Sequence, residues 1–493
     1  MSRNRPRAAA TAIPQSPLPL ARADLSLSQP DMVYFQHFDR QVRAALPASL
    51  HSFNLQARDC AFLQYSILCL AASNLSTLDA CLTQRNLVGD ARRSTASPSP
   101  NILHSYHAQQ YCELATGQEQ SHEPQDTSLI LIGKVLLAYY QHASTDHFRF
   151  RLAVLETAEF VRRHRHDITR SPTGDIALQL WYRLRTSHRP AEWLELAAGN
   201  DESGSGKKHF ASTSEDEDIY LACIVGLSPD DLLHDIMLKA MELRRRMVFY
   251  HCTAAVQNGS ERLPVHVTES SSIAPSHLLA LLDIQRRRLE VWKSRVAAEK
   301  AGSGCHATAA GITSPNLSVF KLMDHRHRMN HLSCLLCRLI FTRATAYEGA
   351  AVDQDLNSAI LHEVVDTIDG IDPTISNLVD VYGYSLSEIL LQLSYNMPSA
   401  TYFDYILDVV WPRLEVCGRG YENSHLPTHL AKRIIALMAE EWQCSRRILL
   451  VVLAASPNTP KAVLYDIHHC FDVLLYGYDL EQGAFFVNKV SLP

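Results

Sequence analysis

The segment QARDCAFLQYSILCLAASNLSTL, from Gln56 to Leu78, is apolar almost all the way round once Asp59 is passed. A helix without a polar face is stable only when other elements surround it. The segment therefore predicts a central core helix and obliges the rest of the chain to supply the elements around it.

The chain supplies helices. From Met32, MVYFQHFDRQVRAAL sets Tyr34, Phe38, Val42 and Leu46 on one side at i, i+4, i+8 and i+12, and Pro47 stops the run. Further helical patterns cover about residues 102–115, 127–143, 149–164, 175–188, 230–252, 276–295, 317–344, 359–371, 384–396, 398–416 and 428–443. Nowhere do several β-branched, alternating segments follow one another at sheet spacing. The expected fold is all-α, a large multi-helix bundle or array of about 14–16 helices without significant sheet.

Residues 1–30, with Pro14, Pro17, Pro19 and Pro30 among Ser and Ala, cannot build a core and predict a disordered tail. Its arginines Arg3, Arg5, Arg7 and Arg22 precede any acid and also match the composition of a mitochondrial presequence. The helical body spans 31–455, with loops at 89–100, 199–218 and 301–315, where Gly, Ser, Thr and Pro replace periodicity. Residues 456–493 are expected to form a helical extension. No fixed repeat period occurs, which argues against a regular solenoid.

The totals narrow the function. Lys plus Arg number 46 against 52 Asp plus Glu, a net charge of −6, so the bulk field repels a polyphosphate and any nucleic-acid contact must be local. Apolar runs such as Ile448 to Ala455 fall short of the roughly 20 residues that span a bilayer. The twelve cysteines are scattered through apolar segments, among them Cys60, Cys69, Cys112, Cys334 and Cys444, and read as reduced thiols serving as small hydrophobes.

Several motifs could carry chemistry. HRHRMNHLSCLLC, His325 to Cys337, has the vocabulary of a zinc site. On a helix His327, His331 and Cys334 fall within about 60° of one another, Cys337 lies further round and His325 points the other way. The segment continues as a helix through Leu335, Leu336, Leu339, Ile340 and Phe341, whereas a zinc knuckle bends between its ligand pairs, so small core side chains with rim histidines are the better reading. His468, His469 and Cys470 suggest a thiol site but sit in VLYDIHHCFDVLLYGY, read as a packed helix. There is no Gly-x-Ser-x-Gly, phosphate loop or His-Glu-x-x-His, and the paired acidic clusters of a terpenoid-type helical enzyme are missing.

Basic clusters at Arg162-Arg163-His164-Arg165-His166, Arg244–Arg246 and Arg286–Arg288 read as solvated faces, the first also as a nuclear-import or phosphate patch. In STSEDED, Ser212, Thr213 and Ser214 each have an acid three places on (Glu215, Asp216, Glu217), as in an acidophilic kinase substrate.

Three segments together resemble the helical regulatory domain of fungus-specific transcription factors, the region that follows the binuclear zinc cluster in those proteins. YFQHFDRQVRAALP followed by AFLQYSILCLAASNL is similar to its opening helices. Ala177 to Glu192 (ALQLWYRLRTSHRPAE) is similar to the segment before its variable acidic loop. Trp411-Pro412-Arg413-Leu414 through Cys417-Gly418, leading into HLPTHLAKRIIALMAEEW and RRILLVVLAA, is similar to its closing Trp-Pro turn and helix pair. HRHRMNHLSCLLCRLIFTRA resembles the long core helix of that domain. The six cysteines of the cluster are not found, since the first cysteine is Cys60, inside the core-helix segment. Either a regulatory domain stands alone or an upstream coding stretch carries the cluster.

The resemblance implies a nuclear, non-enzymatic regulator of transcription without direct DNA reading. It would act through a DNA-binding partner, a homo- or heterodimer, or a small-molecule effector. No catalytic, cofactor-binding or metal residue and no membrane association is expected. The alternatives are an organellar or cytosolic helical scaffold and, behind it, a helical enzyme.

Overall fold

A computed structural model of the chain describes residues 28–51, 60–87, 101–119, 126–144, 147–188, 223–224, 226–257, 274–302, 319–344, 354–416, 426–453, 463, 466 and 468–492. Residues 1–27, the loops at 89–100 and 199–218, with Ser212 to Glu217, and residues 303–315 lie outside the described residues, while the first two residues of the loop expected at 301–315 are helical.

Helix α1 (Gln29–His37) runs through a π-helical turn, Phe38–Val42, into a short end, Arg43–Ala45. Ser28 and Asp31 close a capping box at its start, and Pro30 lies in the first turn, where its missing N–H costs nothing. Pro30, read from sequence as tail, thus opens the first helix. Tyr34, Phe38, Val42 and Leu46 are all buried, the stripe that the periodicity predicts.

The core helix is α2 (Ala61–Leu87), which buries Phe62, Leu63, Ile67, Leu68, Leu70, Ala71 and Ala72. It lies against α1, α3 (Ile102–Glu119) and α4 (Thr127–Ala143). Its stretch Ala61–Leu78 is long and apolar enough to cross a membrane, yet 61% of it is buried within the fold, as befits a helix surrounded by helices. Gly133 in α4 accommodates the Phe62 ring, because a Cβ there would come within 2.6 Å of it.

Helices α5 (His147–Arg170) and α6 (Gly174–His188) continue the array, α5 kinking at His164. The long α7 (Pro229–Gln257), α8 (Pro275–Gly302) and α9 (Val319–Ala344) pack on one another. Then come α10 (Gln354–Asp369), the short α11 (Pro373–Val379), which the sequence reading did not identify, and α12 (Leu386–Asn396), opened by a Ser385–Glu388 capping box. Helix α13 passes from Ala400–Asp404 through a π-helical turn, Tyr405–Val410, to Trp411–Val416, and α14 (Thr428–Gln443) follows.

The described chain is predominantly helical, with one small antiparallel sheet of order β1-β2-β3 among the described residues. Strand β1 (Arg446–Leu453) replaces the second helix of the expected closing pair. Strands β2 (Phe471–Asp479) and β3 (Ala484–Leu492) replace the expected helical extension over 456–493. Two physical causes decide this. Ser445, at φ 58°, leaves the helical path just after α14, and the run ILLVVL contains Ile448, Val451 and Val452, which suit a pleated strand. The β2–β3 hairpin turns at Gly483, φ 65°, with Asp479 Oδ1 accepting from Glu481 N and Gln482 N.

The sheet covers the end of α7. Val248, Phe249 and Cys252 form an apolar cluster with Leu449 and Tyr476. The β1–β2 register skips at Leu449, whose carbonyl accepts instead from Arg244 Nη2 at 2.7 Å, while Arg244 Nε donates to Asn396 Oδ1 at 2.9 Å. A bulge in the ladder is thereby tied to α7 and α12.

Candidate functional site

The His325–Cys337 segment is the middle of α9, and the helix sorts its residues by face. Cys337 and Leu336 are fully buried, and burial pushes the Cys337 thiol well above its ordinary range. Cys334 is buried with its thiol also raised, first by burial. His331 lies at the rim with Nε2 3.0 Å from Glu363 Oε1, and His327 is exposed. His325 is on the opposite side, 3% exposed, with Nε2 2.9 Å from Asp380 Oδ1. Among the described residues, no three His, Cys, Asp or Glu side chains converge so as to hold a metal ion.

The rim face of α9 does form something else. Met323, His327, His331, Cys334 and Arg338 recur at helical spacing and face Trp292, Lys293 and Val296 of α8 across a groove of about 980 Å³. Pro229 and Asp230, opening α7, and Thr367 of α10 complete it. A volume of this size lies at the upper end of small-molecule sites, commonly about 300–1,000 Å³. Trp292, Val296 and Met323 supply an apolar wall. Lys293, Arg326, Arg328 and Arg338 also line it, ion-paired with Glu290, Asp230, Asp324 and Glu363 in that order. Trp292 is 9% exposed, and its buried indole N–H has no hydrogen-bond partner among the described residues.

Behind the groove lies a smaller cavity of about 90 Å³. Asp230, Arg326 and Asn330 line both spaces and form the partition between them. Asn330 Nδ2 donates to Asp230 Oδ1 at 2.7 Å, and Arg326 reaches Asp230 at 3.5 Å. Arg326 also donates to the carbonyl of Ala44 at 2.9 Å, which pins the partition to the end of α1. His234 lines the inner cavity, and burial first, then Arg183, holds its imidazole well below the usual range. Burial also lowers His325, but the Asp380 carboxylate outweighs it and its pKa ends raised. The buried Nδ1 of His325 has no hydrogen-bond partner among the described residues.

Beside this cavity, Asp235 accepts from Tyr182 Oη at 2.7 Å and Lys239 Nζ at 3.0 Å, and Arg288 Nη2 lies 2.7 Å from it. This network joins α6, α7 and α8 where no cavity adjoins Lys239 among the pockets described above, and its chemistry is that of a buried structural ion cluster.

The other sequence candidates divide. Arg162 and Arg163 are exposed and pair with Glu159 one turn back, a solvated face. Arg286 and Arg287 pair similarly with Asp283, whereas Arg288 turns inward to Asp235. The Arg244–Arg246 cluster was expected to be solvated and is not: Arg244 and Arg246 are buried, and Arg245 and Arg246 both bind Glu242. A guanidinium can be buried when a carboxylate or carbonyls meet its fork, and here they do. His468, His469 and Cys470 are exposed residues leading into β2 and not part of a packed helix. Trp292, Asn330 and Asp230 were not singled out from sequence, since nothing in their local pattern marks two distant helices as neighbours.

No known protein family, curated protein or solved structure matches this chain.

Proposed function

We propose that the protein is an effector-responsive regulator of the fungal transcription-factor type, and that the α8–α9 groove takes a small amphipathic anion. The regulatory class rests on the sequence resemblance over roughly residues 30–455. The effector site rests on one observation: a groove of about 980 Å³ with an apolar wall and four cations along its lining. A carboxylate or phosphate head group would sit among Lys293, Arg328 and Arg338, with an aromatic or aliphatic body against Trp292 and Met323. Such an anion would compete with the carboxylates of Glu290, Asp324 and Glu363 for these cations. The protein would work in the nucleus through a DNA-binding partner or a dimer and not by reading DNA itself.

The test is titration of the full chain with the anionic fluorophore 8-anilinonaphthalene-1-sulfonate and its neutral counterpart N-phenyl-1-naphthylamine. The anion is expected to bind with energy transfer in which Trp292 takes part, reduced in Trp292→Phe, and to weaken about tenfold in an Arg328→Gln, Arg338→Gln double variant. Binding of neither dye, or anion binding indifferent to all three substitutions, refutes the effector site. Salt-sensitive, sequence-specific DNA binding by the purified chain alone refutes the partner-dependent mode.

A further inference from the structure

We propose that Cys112 and Cys69 form a peroxide-oxidisable thiol pair across the contact of α2 and α3, Cys112 taking the first oxygen and Cys69 resolving it to a disulfide. The proposal is independent of the groove, which lies among other helices.

Three observations carry it. The two thiols lie close enough to act on one another's ionisation, although they come from different helices. Their helices are in direct contact, and the α3 positions one turn either side of Cys112, Ala108 and Ala115, are buried alanines. Small residues at such a contact let backbones approach to the roughly 4.4–6.8 Å between Cα atoms that a disulfide needs. Finally, the two cysteines differ in access: Cys69 is fully buried, while Cys112 is half-buried and lines a surface pocket of about 230 Å³. Lys134 and Arg149 line the same pocket.

This setting favours the thiolate at Cys112. The neighbouring Cys69 thiol lowers its pKa most, burial opposes, and Arg149 lowers it further. Burial holds Cys69 well above the ordinary thiol range, so it stays protonated. Cys223, Cys252 and Cys337 are buried with raised pKa values and are not of this kind.

The chemistry balances with a hydroperoxide as the named oxidant. The Cys112 thiolate attacks one peroxide oxygen, the S–O bond forms as the O–O bond breaks, and the departing alkoxide or hydroxide takes a proton from solvent. The Cys69 sulfur then attacks the Cys112 sulfenic sulfur. The S–S bond forms, the S–O bond breaks, and hydroxide leaves with the Cys69 proton as water. Two thiols lose two electrons and one peroxide is reduced.

The test treats the full chain with one equivalent of hydrogen peroxide, blocks remaining thiols and maps the peptides. The expected product is a Cys69–Cys112 cross-linked peptide pair and a mass lower by about 2 Da in that pair. Cys112 should oxidise about fivefold or more faster than Cys444 and Cys470, which are more exposed and serve as internal references. In Cys69→Ser, dimedone should trap the sulfenic acid at Cys112, and Arg149→Gln should slow its formation in an otherwise native chain. The proposal is overturned if Cys112 reacts no faster than the two references. It is equally overturned if Cys112 oxidises and no link to Cys69 appears. Both readings come from the wild-type chain, so neither depends on a variant folding.

Discussion

Replacing Asp235 by Ala should cost the fold about 3–5 kcal/mol, while replacing its partner Lys239 by Met should cost about 1 kcal/mol or less. Asp235 is 2% exposed and balances two cations at once, Lys239 at 3.0 Å and Arg288 at 2.7 Å, with Tyr182 as a third donor. Burial alone would raise its pKa, but Lys239 and Arg288 bring it from 3.8 down to about 2. A depression of about two pKa units corresponds to about 2.5 kcal/mol of stability, present above pH 3.8 and lost as the pH falls towards 2. Removing the carboxylate forfeits that and strips a fully buried ammonium of this partner, which brings the total into the stated range. Lys239 is the opposite case: burial first, and Arg288 after it, pull its pKa from 10.5 to about 8 in spite of Asp235. Its charge is thus held at a cost below pH 8, and stability rises as that cost is relieved between pH 8 and 10.5. In Lys239→Met, Asp235 keeps Arg288 and Tyr182. Urea unfolding followed by circular dichroism at pH 7 and 25 °C measures both, with unchanged m values required. Equal losses in the two variants, or a larger loss for Lys239→Met, would refute the reasoning.

Arg244→Met should destabilise by about 2–3 kcal/mol, because it orphans the buried Leu449 carbonyl and Asn396; the same unfolding assay reads it, together with faster hydrogen exchange in β1. Gly133→Ala should cost about 1–3 kcal/mol by driving a methyl into the buried Phe62 ring. Gly370→Ala, whose Cβ meets only the flexible Arg328 guanidinium, should change the midpoint far less. His325→Gln should be most destabilising below pH 6.5, where the raised imidazolium faces Asp380 and, more distantly, Asp372 against Arg326. The difference from the wild type should shrink as pH rises through the folded pKa, so a pH series showing a constant difference would refute the ion pair.

The helices were legible because one face of each must be buried. The stripe of α1 and the all-round apolar α2 follow from that requirement alone, and α4 begins and ends at the residues its pattern predicts, Thr127 and Ala143. The sheet was not legible, since ILLVVL in β1 has no period and an unbroken apolar run fits a buried helix or a buried strand equally. What separates them is the left-handed Ser445 and the pairing with a distant hairpin, neither of which leaves a local mark. Burial of Arg244 and Arg246 was hidden for a similar reason: three arginines in a row look solvated until Glu242 and the Leu449 carbonyl are placed beside them. At the groove, the histidines of α9 were visible as a rim. What they face was not, because Trp292 reaches them only through the α8–α9 contact.

The seat of the small sheet on α7 sets a timetable for the chain as it is made. Val248, Phe249 and Cys252 find their cover in residues as far on as Gly477, whose carbonyl accepts from Cys252 across a separation of 225 residues. At a synthesis rate of about 5–20 residues per second, that apolar end of α7 waits about 10–45 seconds after it is made before its covering strands exist. For that interval the nascent protein carries an adhesive surface that the finished one conceals, and its yield in any host depends on what shields that surface in the meantime.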